Sequence, residues 1–286
     1  MKQAKIVFIG GGNMAHALVS GLMQDNYPKK NVWIIDPNQD KLDFFTQTYQ
    51  VNTALDFTTE HTEGDIIVLA IKPQHFNTLS VALKQYISAN KPIVISIAAG
   101  ISLISLADAL GEKTPIIRAM PNSPALIQSG ITGLMANSHI NDNQKSLAEH
   151  LLRGVGLVIW VQDEAQIDVI TAVSGSGPAY YFLFMEMMKV FAVEHGIEEN
   201  DAKLLAIQSA FGAAKMALES ADDLAILRQK VTSKGGCTQA TVDCFLNEGI
   251  QQLFDNGLNA NIDRSKLLAE QFAMQIKLAD DNAKGE

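Results

Sequence analysis

The sequence predicts a doubly wound α/β domain followed by an all-α domain. Short Ile- and Val-rich runs alternate with helical stretches up to about residue 162, a glycine-rich turn joins the first strand to the first helix, and beyond that point the strand signal stops. At 286 residues the chain is long enough for about two domains, each with a real hydrophobic core.

The apolar runs are Ile6 to Ile9, Val32 to Ile35, Ile66 to Ile71, Ile93 to Ile97, Ile116 to Ala119, Ile131 to Met135 and Leu157 to Val161. Several lack polar alternation, as strands covered on both faces do, which indicates a parallel sheet. Between them, Asn13 to Gln24, Asn38 to Tyr49, Phe76 to Ala89, Leu103 to Leu110 and Asn143 to Arg153 carry apolar residues at three- and four-residue spacing. Alternating units of this kind build an open sheet with helices on both faces. The expected domains are 1–162 and 163–286.

In the second domain the helices are Ala179 to His195, Asp201 to Glu219, Leu224 to Lys230, Thr238 to Asn247 and a long one from about Ile250. Asp222 and Asp223 fit a helix N-cap and its neighbour. The helix beginning at Pro178 ends at Gly196 and is apolar around almost its whole circumference, so a second subunit is expected to cover it. Met185, Met187 and Met188 on this helix are assigned to packing.

Composition excludes several classes. Lys plus Arg number 22 against 31 Asp plus Glu, a net charge of -9, which offers no basic footprint for nucleic acid or an anionic membrane. The uncharged stretch Val169 to Met185 is interrupted by Ser174-Gly175-Ser176-Gly177-Pro178, so no transmembrane span is expected. Met1 to Lys5 runs directly into the strand-like Ile6 to Ile9, a run too short for the apolar region of a signal peptide, and the expected location is cytoplasmic. Cys237 and Cys244, with six residues between them, match neither a redox CxxC nor a zinc spacing, which suits a reducing compartment. His16, His61, His75, His139, His150 and His195 show no HxH or HExxH pattern, so no metal site is expected, and His195 is read as structural.

Gly10-Gly11-Gly12-Asn13-Met14-Ala15 satisfies GxGxxA directly after a strand and at the start of a helix, the context in which that pattern binds a dinucleotide. Gly10 permits the tight turn, Gly12 lets a pyrophosphate approach the backbone, and Ala15 lets helix and strand pack closely. Asn13 and Met14 open the helix whose N–H groups face the phosphates. Asp36 ends the second strand where such folds read the ribose. Its carboxylate favours NADH, while Asn38, Lys41 or a rotated Asp36 would tolerate a 2′-phosphate, so NADPH or NADH is expected. Ala70-Ile71-Lys72-Pro73 and Ile97-Ala98-Ala99-Gly100 leave two further strands at their carboxyl ends, and both loops are expected to touch cofactor.

Arg118-Ala119-Met120-Pro121-Asn122-Ser123-Pro124 forms a rigid loop suited to placing a nicotinamide. Ser174-Gly175-Ser176-Gly177-Pro178 and Thr232-Ser233-Lys234-Gly235-Gly236-Cys237-Thr238 each precede a helix and offer N–H groups to an anion. Ordinary capping by Ser176 or Thr238 would explain either loop without a ligand.

Taken together, these loops resemble the pyrroline-5-carboxylate reductase family, and the similarity runs nearly end to end. It rests on Phe8 to Ala15, Ala70 to Pro73, Ser96 to Gly100, Arg118 to Pro124, Ser174 to Tyr180 and Thr232 to Gly236. The resemblance implies a Rossmann domain followed by a helical dimerisation domain, with rings of dimers in some members. It implies hydride transfer from NADH or NADPH to C5 of the cyclic imine 1-pyrroline-5-carboxylate, giving L-proline in the last step of proline synthesis. By position, Thr238 would hydrogen-bond the imine nitrogen, Ser233 and the backbone at Gly236 and Cys237 would hold the substrate carboxylate, and Glu164 would line that pocket. The chain departs from the family at Leu55-Asp56-Phe57, where an adenosine-contacting Asn is common, at Lys230 in place of Asn, and at Cys237 in place of Thr or Ala.

Two other readings compete. A β-hydroxyacid-type dehydrogenase would need a catalytic lysine in the helical domain, and Lys189, Lys203 and Lys215 lack a glycine-rich surround. A non-catalytic dinucleotide sensor would not need the loop from Ser233 to Thr238.

Overall fold

The computed structural model describes residues 4–57, 64–71 and 76–285. Its chain divides into two compact units, residues 1–175 with 261–286, and residues 176–260.

In the first unit an eight-stranded sheet runs β3-β2-β1-β4-β5-β6-β7-β8. The strands are β1 (Ile6–Ile9), β2 (Val32–Ile35), β3 (Asn52–Ala54), β4 (Ile66–Leu69), β5 (Ile93–Ser96), β6 (Ile116–Met120), β7 (Gly130–Ala136) and β8 (Gly156–Trp160). The helices are α1 (Asn13–Gln24), α2 (Gln39–Tyr49), α3 (Phe76–Asn90), α4 (Leu103–Leu110), α5 (Asp142–Arg153) and α6 (Glu164–Ile170). The order reverses at β1 and β4, whose carboxyl ends therefore flank the crevice where open sheets of this kind bind ligands.

Continuous apolar runs arise because both faces of the sheet are covered. Ile6 and Phe8 enter a core with Leu18, Phe45 and Leu151 on one face. Val7 and Ile9 enter a second core with Phe76, Leu83, Leu106 and Phe272 on the other. Alternate residues of β1 thus point to opposite cores, and each core requires an apolar side chain.

Two features depart from the expected sheet. β3 is an additional strand, short and half-exposed, that pairs Asn52 with Trp33 and Ala54 with Ile35. β7 runs antiparallel to β6. Nine residues separate Met120 from Gly130, too few for a parallel crossover. Part of that connection is a 3₁₀ turn, Ser123–Ile127.

The first unit also extends past the expected boundary at 162. α6 packs on β7 so closely that a Cβ built on Gly133 would lie 2.5 Å from Ile170 Cδ1. A π-helical turn comes next at Thr171–Gly175. The distal part of α11 (Ile250–Gly285) returns to this unit, where Phe272 packs edge-on against Phe76 at 5.5 Å. At Gly100, whose φ is +75°, an added Cβ would meet Leu268 Cβ at 3.0 Å.

A buried polar network joins these pieces. Arg118 on β6 is 3% exposed and pairs with Glu164 at the start of α6. Its guanidinium also lies 4.0 Å from Asp168, which accepts a 2.7 Å hydrogen bond from Ser265 of α11. Both Glu164 oxygens accept from the Leu103 N–H at the start of α4, each at 3.3 Å.

The second unit contains α7 (Gly177–Glu194), α8 (Glu199–Glu219), α9 (Leu224–Lys230), α10 (Cys237–Asn247) and the proximal part of α11. Asp223 caps α9 by accepting from the Ala225 N–H. Phe184 stacks on Phe254 at 5.8 Å. In α7 and α8 only Gly177, Ala202 and Ala206 are buried, while Tyr181, Phe182, Phe191, Leu204 and Phe211 are each more than half exposed. Met187 and Met188, expected to pack, are exposed within the single chain. Apolar exposure on this scale marks an interaction surface. No helix among the described residues is long and apolar enough to cross a membrane.

Glu164→Ala removes the principal counter-charge of a buried guanidinium. With Asp168 still nearby and Glu164 itself partly solvated, the expected cost is about 2–4 kcal/mol. Urea unfolding at fixed protein concentration reads this as a lower midpoint, with Glu164→Gln, which keeps an acceptor for Leu103, losing less. A midpoint unchanged in Glu164→Ala contradicts the structural role of the pair.

A dinucleotide cradle and a second glycine loop

The β1–α1 turn is shaped by close backbone approach. The Gly10 N–H donates to Ile35 O at 2.7 Å, and Gly10 has φ +101°. A Cβ there would lie 2.4 Å from Ala70 O, so only glycine fits. A Cβ on Gly12, by contrast, would meet no atom within 4 Å. Gly12 is the N-cap of α1 and brings no capping side chain, and the first turn contains no acidic residue. Exposed Asn13 and part-buried Met14 begin the helix, and Ala15 is fully buried against the sheet. The first-turn N–H groups have no intrahelical acceptor, and with the dipole they favour an anion. The open side of Gly12 and the uncrowded N-terminus fit a pyrophosphate.

Asp36, one residue past β2, is 5% exposed. Its Oδ2 accepts from the Gly11 N–H at 2.8 Å and from Lys41 Nζ at 2.9 Å, while Oδ1 accepts from the Asn38 N–H at 2.9 Å. Burial by itself pushes this carboxyl up. The hydrogen bonds from Gly11, Lys41 and Asn38, together with the Lys41 charge, outweigh it and hold the carboxyl below the ordinary aspartate range. Asn38 caps α2 by accepting from the Lys41 N–H at 3.2 Å. Sequence pattern singles out Asp36, Asn38 and Lys41, but it does not show that the carboxylate is bound into the glycine turn.

The expected loops gather at the carboxyl ends of the parallel strands. Ala70 accepts the packing of Gly10, and its N–H donates to Ile9 O at 2.8 Å. Ala98 is buried and Ala99 exposed after β5. Lys72 and Pro73 lie outside the described residues. Asn122, 8% exposed, holds the loop after β6: its Nδ2 donates to Ser174 O at 3.1 Å and its Oδ1 accepts from the Ile131 N–H at 2.9 Å. That loop is thereby fastened to the π-helical turn, a connection no local sequence pattern shows.

In the second unit, Ser233, Gly236, Cys237 and Thr238 form one compact turn. The Gly236 N–H donates to Ser233 O at 3.0 Å, and Gly235, with φ +74°, donates its N–H to Gln239 Oε1 at 2.7 Å. Gly236 is the N-cap of α10, so Thr238 stands inside the first helical turn and does not cap it. The Cys237 and Thr238 side chains are exposed, and first-turn N–H groups are again free of intrahelical acceptors. Glu164 belongs to the first unit, where Arg118 and Leu103 engage its carboxylate.

These geometries separate two kinds of glycine. Gly10→Ala is expected to cost about 3 kcal/mol or more of stability, through positive φ and collision with Ala70. Gly12→Ala should stay within about 1 kcal/mol of the parent in thermal unfolding yet weaken dinucleotide binding, measured by calorimetric titration, because its Cβ would occupy the phosphate side. Equal stability losses for the two would contradict this division. Asp36 supplies a pH signature. Since its folded pKa lies below the unfolded value of about 3.9, its contribution is fully present above that pH and is lost as pH falls through the folded value. Asp36→Asn should therefore flatten the acid limb of stability below about pH 4, and an unaltered limb would contradict it.

A family profile described as pyrroline-5-carboxylate reductase dimerisation matches residues 164–268, and one described as NADP oxidoreductase coenzyme F420-dependent matches residues 5–100. The pyrroline-5-carboxylate reductase of Pseudomonas aeruginosa is 39% identical over 271 residues, covering 95% of this chain and 99% of its own. A solved pyrroline-5-carboxylate reductase from Coxiella burnetii superposes with a TM-score of 0.88 at 41% identity, covering 93% of this chain and 98% of its own. The Plasmodium falciparum pyrroline carboxylate reductase with NADP bound does so with a TM-score of 0.81 at 26% identity, covering 94% of this chain and 99% of its own. The likeness thus runs along almost the whole length of these proteins, and the chain belongs to the pyrroline-5-carboxylate reductase family.

Proposed function

We propose that this chain reduces the C=N bond of 1-pyrroline-5-carboxylate to give L-proline, with NADH or NADPH as hydride donor, the final step of proline biosynthesis. The observation that carries the reading is the pairing, in one chain of this family, of a phosphate-shaped cradle at Gly10–Met14 with a second N–H-rich turn at Ser233–Thr238. One anion site serves the dinucleotide, and the other suits a small carboxylate.

When bound, the reduced nicotinamide supplies a hydride from C4 to the imine carbon. The chain's own part is to bind and orient. Gly12 and the first turn of α1 take the pyrophosphate, and the loops at Ala70 and at Ala98 and Ala99 border the dinucleotide. Lys72 and Pro73 are assigned to the same border from sequence. Ser233 and the N–H groups at Gly236 and Cys237 hold the substrate carboxylate, and the Thr238 hydroxyl accepts from the substrate N–H. A pyrroline nitrogen is basic enough to arrive protonated near neutral pH, so placement carries most of the work and no strong acid is required. Glu164, tied to Arg118 and to the start of α4, takes a positioning part rather than direct contact with substrate.

The family's dimerisation region covers α7 to α10, the helices whose apolar side chains are exposed in the single chain. The working unit is a homodimer joined through those helices, and dimers assemble further into a ring. The cytoplasm is the proposed location, in keeping with two exposed free thiols, Cys237 and Cys244.

Purified chain incubated with 1-pyrroline-5-carboxylate and either NADH or NADPH should oxidise cofactor and form proline. A chain that binds cofactor but turns over neither mixture would contradict the function. Within the site, Thr238→Ala should lower kcat about 10- to 100-fold, the loss of one hydrogen bond to a charged group, with cofactor Kd unchanged and Thr238→Ser largely restored. An unaltered kcat would remove Thr238 from the substrate site.

A further inference from the structure

The adenosine end of the cradle differs from the bare carboxylate that the sequence suggests. In folds of this type an acidic residue ending the second strand faces the ribose and disfavours a 2′-phosphate. Here Asp36 is turned into the glycine loop, with its side chain 7% exposed, and Lys41 covers it with a side chain that is 45% exposed. Each carboxylate oxygen holds a backbone donor of its own, Gly11 on Oδ2 and Asn38 on Oδ1. Lys41 can therefore leave Asp36 without orphaning either oxygen, and of the two partners its side chain is the one that reaches solvent.

Within the segment from Asp36 to Asp43, Lys41 is the one basic residue among Asp36, Asp40 and Asp43. Asp43 is occupied by Gln39 Nε2 at 2.6 Å. A phosphate dianion attracts an ammonium more strongly than a carboxylate already satisfied by two N–H groups. We infer, and the inference rests on the dinucleotide reading of the cradle, that Lys41 is the specificity-determining residue that admits a 2′-phosphorylated cofactor beside Asp36. The chain then takes NADPH as well as NADH and loses NADPH selectively when Lys41 is neutralised. With an unphosphorylated ribose, Lys41 stays on Asp36 and contributes little to binding.

The test is equilibrium titration of the full-length protein with NADP+, NAD+ and adenosine 2′-monophosphate at low ionic strength. Lys41→Gln should weaken NADP+ and adenosine 2′-monophosphate about tenfold or more while NAD+ changes by no more than about twofold, and Lys41→Arg should restore NADP+ binding. Added salt should weaken NADP+ more steeply in the parent than in Lys41→Gln. The inference is overturned if the parent binds NAD+ but not NADP+, or if Lys41→Gln affects both dinucleotides equally or neither. Failure of the parent to bind either dinucleotide would instead defeat the cofactor reading itself.

Discussion

One backbone amide, the Gly11 N–H, organises the first unit's ligand-binding edge. Its hydrogen bond to Asp36 draws the end of β2 against the β1–α1 turn, while Gly10 passes under Ala70 O with no room for a side chain. Those contacts fix where α1 starts, and so where its unpaired N–H groups point. A dinucleotide cradle needs no charged side chain for this, because the helix end and the open face of Gly12 supply the anion site. The carboxylate that looks in sequence like a ribose reader is first a structural acceptor, with its proton held off by three hydrogen bonds.

A second constraint comes from the Arg118 guanidinium, buried at the end of the parallel part of the sheet. Its pairing with Glu164 brings the first turn of α6 to β6, and Glu164 in turn satisfies the start of α4. Asp168 and Ser265 extend the network to α11. This explains why residues 163–175, and again 261–286, fold with the sheet although they are helical. Replacing a buried pair of this kind with apolar side chains often costs nothing, so the network's value lies in setting the positions of four elements rather than in raw stability.

Much of this was legible in the sequence. Uninterrupted Ile and Val runs such as Ile66 to Leu69 revealed the sheet, since a strand buried on both faces leaves no polar alternation to misread. The GxGxxA turn was legible because Gly10 and Gly12 answer to distinct local demands. What escaped was non-local. β3 is three residues, Asn52–Ala54, without an apolar run, and it exists because β2 offers an edge. The antiparallel β7 comes from the short connection after Met120 and not from composition. Glu164 was assigned to the substrate pocket on resemblance alone, and its pairing with Arg118 and Leu103, 46 and 61 residues away, left no local signal. The exposed face of α7 was foreseen as a partner's territory, for Phe182 has no core of its own to enter, whereas that of α8, with Phe211, was not.

The two glycine turns are proposed to serve one reaction, hydride delivery to the imine carbon of a small cyclic carboxylate. The direct measurement is isotope transfer: cofactor deuterated at the transferable C4 position, 1-pyrroline-5-carboxylate as acceptor, and the product analysed by mass spectrometry and NMR. Proline carrying one deuterium at C5 is the expected result. Cofactor oxidation without deuterium at C5, or with the label in another product, would contradict the claim.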